Sequence, residues 1–205
     1  MKNILNFIKK SPHRIHLESY LENFLPKLNG SILDIGSKNR RYDYLMKETP
    51  IAIDLNENKD KNVLMGDVQN LSFEDSSFDN VICLEVLEYV DEPKRALSEI
   101  FRVLKKDGIL ILSVPFMYKF HEDRLRYTKS FLQENTSAFS KVEIFNIGNS
   151  YSTILNIFYS KIKHIKFSPV RILLTIVYFP FAIFSPCRFM KKGQFNSGYF
   201  LVATK

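Results

Sequence analysis

Five short apolar runs, each closing on a polar residue, a glycine or a proline, constrain this chain more than any other feature. Residues 31–36 end in Asp34-Ile35-Gly36. Residues 51–55 carry Asp54, residues 62–67 end in Gly66-Asp67, and residues 78–85 end in Leu84-Glu85. Residues 109–114 stop at Pro115. Apolar runs this short, without strict alternation, fit strands buried on both faces, as in a parallel sheet covered by helices. Two helical stretches are spaced between them, residues 40–48 and 93–106. The second has Pro93 at its first turn, Gly108 at its stop, and Ala96, Leu97, Ile100, Val103 and Leu104 at helical intervals. The pattern predicts an α/β fold, a Rossmann-like doubly wound sheet.

Either side of this core the periodicity changes. Residues 2–10 and 16–28 read as amphipathic helices punctuated by Pro12 and Pro26. Residues 129–140 read as a helix capped by Thr128 or Ser130. Residues 141–145 and 198–203 alternate like strands and are expected to pair as the last two, which makes the last strand antiparallel in a mostly parallel sheet. The expected organisation is an N-terminal helical segment at 1–29, a core at 30–149, a helical insertion at 150–196 and a final core strand at 197–205.

Charge separates the insertion from the core. The formal net charge is +7, with 29 Lys+Arg against 22 Asp+Glu. All the acidic residues lie before residue 150. Residues 150–196 hold Lys161, Lys163, Lys166, Arg171, Arg188, Lys191 and Lys192 and no acid. The core is therefore nearly neutral. Cys83 and Cys187 are too few for a disulfide framework and favour a reducing compartment. Only six residues separate Lys2 from Lys9, too few for the apolar core of a signal peptide. A cytoplasmic protein is expected. His13, His16, His121 and His164 show no metal-ligand spacing.

In open α/β sheets the ligand sits beyond the carboxyl ends of the strands. Here those ends gather Asp34, Gly36, Asp54, Asp67 and Glu85. Gly36 admits close backbone approach. Asp54, 20 residues after Asp34, is placed to bind both hydroxyls of a ribose. Asp67 can accept from an adenine amino group. Any one of these carboxylates alone would read as a solvated loop or helix cap; their recurrence on successive strand ends points to an adenosyl ligand.

These residues reach a family. The string Ile32-Leu33-Asp34-Ile35-Gly36 resembles the first motif of class I S-adenosylmethionine-dependent methyltransferases. Residues 66–73, 77–83, 86–90 and 93–115 resemble the type 11 group of that class. The resemblance implies S-adenosylmethionine as cofactor. It implies that Asp34, Gly36 and Ser37 lie along the methionine and ribose, that Asp54 takes the ribose hydroxyls, and that Leu55 flanks the adenine. Asp67 and Val68 would hold the adenine edge, with Leu84 and Glu85 on the methionine side. Two positions depart from the pattern. The usual second glycine of the loop is Lys38, which is expected either to pair with the cofactor carboxylate or to point to solvent with binding weakened. The usual histidine after Val-Leu-Glu is Tyr89, expected to be a packing residue.

The segment His121-Glu122-Asp123-Arg124-Leu125-Arg126-Tyr127-Thr128 resembles the stretch after strand five in bacterial methyltransferases, many tied to surface-glycan pathways. An oxygen acceptor must lose a proton, so His121 is the candidate general base, with Glu122 and Asp123 next. The competing reading has His121 capping a loop.

The uncharged run 172–187 between Arg171 and Arg188 would span ~24 Å as a helix, against a hydrocarbon core of ~30 Å. Pro180 and Pro186 are expected to break it. Basic clusters around it suit an anionic membrane surface, with Lys161, Lys163, Lys166, Lys191 and Lys192 at headgroups and Phe179, Phe181 and Phe184 in the acyl boundary. A lid over the acceptor site, a dimer interface and plain solvation are the alternatives; a greasy run argues against nucleic acid. The expectation is O-methylation of a sugar or lipid-linked small acceptor, at the cytosol or the inner membrane face. A quinone or other lipid acceptor is the second enzyme reading, and a catalytically silent cofactor-fold protein binding a partner or membrane is the third. A nicotinamide enzyme is disfavoured, because the three-glycine fingerprint and a Tyr-x-x-x-Lys pair are both missing.

Overall fold

The structure is a computed structural model that describes residues 10–119, 122–163, 165–166, 168–183 and 195–205. Its centre is a seven-stranded sheet ordered β3-β2-β1-β4-β5-β7-β6. The strands are β1 (Ile32–Ile35), β2 (Ile51–Asp54), β3 (Val63–Met65), β4 (Phe78–Leu84), β5 (Leu104–Pro115), β6 (Lys141–Ile147) and β7 (Gly198–Thr204). β1 pairs in parallel with β2 and β4, and β2–β3 and β4–β5 are also parallel. β7 enters antiparallel between β5 and β6. Strand order reverses between β1 and β4, which makes that crevice the switch point of the sheet.

The apolar runs of the central strands are buried, as expected, whereas β3, at the edge of the sheet, buries only Val63. All four residues of β1 are buried, as are Val81, Ile82 and Cys83 in β4 and Leu110, Ile111 and Leu112 in β5. Helix α2 (Pro93–Val103) buries Ala96, Leu97, Ile100 and Val103 and supplies the crossover to β5.

Several boundaries differ from expectation. The first described helix, α1, is Pro12–Phe24, with Pro12 at its start and not before it. A 3-10 turn follows at Leu25–Lys27. The helix expected at 2–10 lies almost wholly outside the described residues. Residues 40–48 form a 3-10 turn at Asp43–Leu45 and no α-helix. Arg40 explains this: it takes left-handed backbone at φ 51°, and its guanidinium donates to Asp43 Oδ2, Asn62 O and Pro50 O. Side-chain bonds across the loop replace helical ones. α2 stops at Val103 and β5 begins at Leu104, which pairs with Phe78; the ladder then shifts to Asn80 with Ile109, and Asp107 takes φ 64° within that irregularity. α3 is Lys129–Asn135, capped by Thr128 Oγ1 accepting from Phe131 N at 3.2 Å.

The chain groups into two compact units. One comprises Leu21–Pro115, Glu122–Phe145 and Phe200–Lys205; the other comprises Met1–Tyr20, Phe116–His121 and Asn146–Tyr199. In the second unit, His13 Nδ1 lies 2.8 Å from Ser197 Oγ, and the His13 ring meets Tyr118 at 4.7 Å. Ser197 Oγ donates to Ile147 O. This unit also holds α4 (Ser150–Lys163) and α5 (Ser168–Ile183). Pro180 does not break α5. Its missing N–H removes the one bond that would go to Ile176 O, and the helix runs three residues further to Ile183. Among the described residues no helix is long and apolar enough to cross a membrane.

Candidate active site

Sheet register brings the polar strand ends together. Ile35 is level with Ile53 and with Cys83, Asp54 with Met65, and Leu84 with Ser113. Gly36, Asp54, Gly66 and Glu85 therefore stand abreast at one edge of four neighbouring strands. Backbone bonds fix the ends: Gly36 N donates to Ile53 O at 2.8 Å, Gly66 N to Asp54 O at 2.9 Å and Glu85 N to Ser113 O at 3.0 Å.

Beyond these ends opens a cavity of about 500 Å³. Of the residues singled out in the sequence, Gly36, Lys38, Asp54, Leu55, Asp67, Val68 and Glu85 line it. Asp34 and Ser37 are buried and not part of the wall, and Leu84 ends β4 without joining it. Ile35, Asn56, Gly66, Gln69, Val86, Tyr89, Val90 and Asp91 complete the lining. Tyr89, expected to pack, is 42% exposed in a 3-10 turn and faces the cavity. Its only sequence signal was its departure from the family's histidine.

Local geometry explains several identities. Gly36 sits at φ +75°, and a Cβ there would come within 2.3 Å of Val86 Cγ2. Only glycine allows β1 to turn against Val86 without displacing the wall. Asp54 Oδ1 accepts from Asn56 N at 3.1 Å, which leaves its second oxygen for a ligand. Asp67 accepts from the backbone and side chain of Gln69, whose Oε1 in turn accepts from Glu92 N at 2.8 Å. The loop carrying Asp67 is held from below. Arg102 donates to Leu71 O, Phe73 O, Asp75 and Glu99, and Glu99 accepts from Leu71 N. Glu85 takes left-handed backbone at φ 56°, and its Oε1 accepts from Ser113 Oγ at 2.9 Å. Strained non-glycine backbone of this kind tends to sit where function fixes a side chain.

Two carboxyls are shifted upward. Burial pushes Asp34 up to about 7, opposed by the hydrogen bond from Ser37. Burial, with Glu85 beside it, pushes Glu88 up to about 9. Glu88 is fully buried, and among the described residues neither of its oxygens meets a hydrogen-bond partner.

The proposed catalytic residues are less gathered. His121 lies outside the described residues. Glu122 is exposed at φ 69°, and Asp123 is ion-paired with Arg126. Among the described residues no cluster of three or more His, Cys, Asp or Glu is placed to hold a metal ion.

Residues 33–112 match the family described as "Methyltransferase domain". The match covers less than half of the chain and likens that part to methyltransferase domains. Solved structures share the fold along nearly the whole chain. A SAM-dependent methyltransferase from Archaeoglobus fulgidus has a TM-score of 0.61 at 15% identity, over 97% of this chain and 96% of that one. A possible histamine N-methyltransferase from Thermotoga maritima has a TM-score of 0.60 at 20% identity, over 95% and 91%. The [4+2]-cyclase SpnF has a TM-score of 0.62 at 16% identity, over 94% and 80%. Two uncharacterized proteins of Methanocaldococcus jannaschii are also similar. One is 25% identical over 126 residues, 56% of this chain; the other is 45% identical over 51 residues, 25% of this chain. The chain spans 60% and 22% of their lengths.

The cavity suits S-adenosylmethionine on its own chemistry. It offers a free carboxylate oxygen on Asp54 for a diol and apolar surface on Leu55, Val68 and Val86. The Asp67 carboxylate can meet an amino edge, and a glycine turn leaves room at Gly36.

Proposed function

We propose that this protein transfers a methyl group to an oxygen of a small acceptor, a sugar or a lipid-linked intermediate, at the cytoplasmic side of the cell. The observation that carries the transferase reading is the cavity itself, where four strand ends bring Gly36, Asp54, Asp67 and Glu85 to one wall. Asp54 would hold the ribose hydroxyls and Leu55 and Val68 the adenine faces. Asp67 would hold the adenine edge and Gly36 and Glu85 the methionine portion, with the buried Asp34 and Ser37 behind that wall. Lys38, on the wall where the family has glycine, would meet the carboxylate.

S-adenosylmethionine supplies a methyl carbon already activated by a sulfonium. The protein's own contribution is then alignment and proton removal. An acceptor hydroxyl would attack in line, the C–O bond forming as the S–C bond breaks and its electron pair stays on sulfur. The hydroxyl proton passes to a base, which we assign to His121. Glu122 is the next candidate because it is exposed, whereas Asp123 is already engaged by Arg126.

Calorimetry with S-adenosylmethionine and with NAD, followed by labelled methyl transfer to extract fractions, tests this reading. Micromolar binding of the former alone and label in an alkali-stable ether support it. Failure of the pure folded protein to bind S-adenosylmethionine overturns it. A second reading is favoured by Lys38 on the wall and by the shared fold of a cyclase: a cofactor-fold protein that transfers no methyl group. Binding without transfer to any acceptor would select it.

A further inference from the structure

Helix α4 is built inside out. Its buried positions include the polar Ser152, Thr153 and Asn156, with Leu155 beside them. Ser152 is tied into the helix start, its Oγ accepting from Asn149 N at 2.8 Å while its own N donates to Asn149 Oδ1 at 3.0 Å. Its exposed positions are Ile154, Ile157, Phe158 and Lys161. These recur at i, i+3, i+4 and i+7, so they form one stripe along one side of the helix. α5 repeats the pattern. Val170, Leu173, Leu174 and Val177 stand at the same intervals, with Ile176 alongside. Phe158 is 58% exposed, Leu173 61% and Ile176 64%. The Tyr159 and Tyr178 rings join the two helices at 6.1 Å, leaving these stripes outward.

Water alone selects against apolar side chains at eight such positions on two adjacent helices, and apolar patches of this extent mark an interaction surface. Charge says which kind. Lys161 and Lys166 are exposed at the α4–α5 junction, and residues 150–196 contain no acid. A protein partner of ordinary composition would not require total exclusion of acidic residues; an anionic surface does. α5 has 16 residues, so at 1.5 Å per residue it is about 24 Å long, short of the ~30 Å needed to cross a bilayer. A helix of that length with an apolar stripe and basic flanks lies in the interface plane.

We propose that α4 and α5 form a foot that docks this protein on an anionic lipid bilayer. The stripes 154/157/158 and 170/173/174/177 enter the headgroup–acyl boundary, and Lys161 and Lys166 meet anionic headgroups. This assignment is independent of the methyl-transfer reading and differs from the sequence expectation in its contact residues. The phenylalanines expected to enter lipid, Phe179, Phe181 and Phe184, have side chains outside those described.

The test is flotation of the full-length protein with vesicles of phosphatidylcholine alone or with 30 mol% phosphatidylglycerol, in low salt and in 0.5 M NaCl. Binding to anionic vesicles that falls at least tenfold in high salt or on neutral vesicles is expected. Each headgroup lysine contributes about fivefold to partitioning, so Lys161→Ala with Lys166→Ala lowers it by roughly twenty-five-fold. Phe158→Glu with Leu173→Glu abolishes it while leaving S-adenosylmethionine affinity unchanged. Equal binding to neutral vesicles overturns the anionic assignment. Absence of flotation together with a concentration-dependent dimer, dissolved by the same glutamate pair, overturns the lipid assignment in favour of self-association; absence of both overturns the proposal outright.

Discussion

Replacing Glu88 with glutamine should make the protein more stable, and increasingly so as pH rises. Glu88 is completely buried, its oxygens meet no partner among the described residues, and Glu85 stands close by. Burial penalises the charged form, so the carboxyl keeps its proton up to about pH 9 in the folded protein but only to its ordinary 4.5 once unfolded. The unfolded state therefore binds fewer protons between these values, and stability falls with rising pH. The favourable contribution is whole below about pH 4.5 and gone above 9. Each pH unit in the window removes about 1.4 kcal/mol. At pH 7 the accumulated loss is about 3 kcal/mol, a large part of a domain's typical 5–15 kcal/mol. Glutamine has the same shape and no proton to lose. Urea unfolding from pH 5 to 8.5 should show the Glu88→Gln protein within about 1 kcal/mol of the parent at pH 5 and about 3 kcal/mol above it at pH 7. Asp34, shifted up to about 7 by burial, adds a slope of the same sign to both proteins. The diagnostic is therefore the difference between the curves. Parallel curves across this range would refute the argument, because they would mean that Glu88 ionises alike folded and unfolded.

Other perturbations separate the roles of the cavity wall. Gly36→Ala should cost about 2–4 kcal/mol in urea unfolding, part from left-handed backbone and part from the clash with Val86. Adding Val86→Ala should return the clash part only, and full recovery would show that the backbone conformation is not strained. Asp54→Ala should weaken S-adenosylmethionine binding about 10- to 100-fold in calorimetry, the loss of a charge-assisted hydrogen bond; unchanged affinity would reject the ribose assignment. Lys38→Gly should weaken binding about twofold to fivefold and reduce its salt dependence, as for a solvent-accessible ion pair. Tighter binding would instead show that the side chain obstructs the loop. His121→Ala should lower kcat by about 10²–10⁴ with little change in cofactor affinity, and intact turnover would remove it as the base.

The central strands were legible because burial on both faces leaves a contiguous apolar string; β3 was legible as an apolar run although Leu64 and Met65 are exposed at the sheet edge. The elements misplaced from sequence are those set by polar side chains. Nothing in the periodicity of 40–48 shows that Arg40 will reach Pro50 and Asn62 across the loop and hold it as a 3-10 turn. Nor does the polar stretch Lys105–Lys106–Asp107 show that a strand has already begun at Leu104. Pairing with Phe78 decides that, and pairing is a long-range fact.

The cavity wall divides along the same line. Gly36, Asp54, Asp67 and Glu85 were readable because each closes a strand, and parallel register carries strand ends to one place. Asp34 was readable as part of the motif but not as a buried carboxyl behind the wall, since its sequence neighbours are the same in either case. Glu88 and Tyr89 lie one turn beyond β4, where the direction of a side chain depends on a 3-10 turn that no spacing rule identifies. That turn buries the charged residue and exposes the aromatic one, the reverse of what each prefers alone. Burying Glu88 raises the energy of the folded state, while Tyr89 stays 42% exposed. The cost at Glu88 persists when the exposed ring beside it has a use, and Tyr89 faces the cavity. Tyr89→Ala should accordingly weaken ligand binding more than it weakens folding, measured by calorimetry and urea unfolding on the same preparation; a loss of stability with unchanged affinity would assign Tyr89 to packing after all.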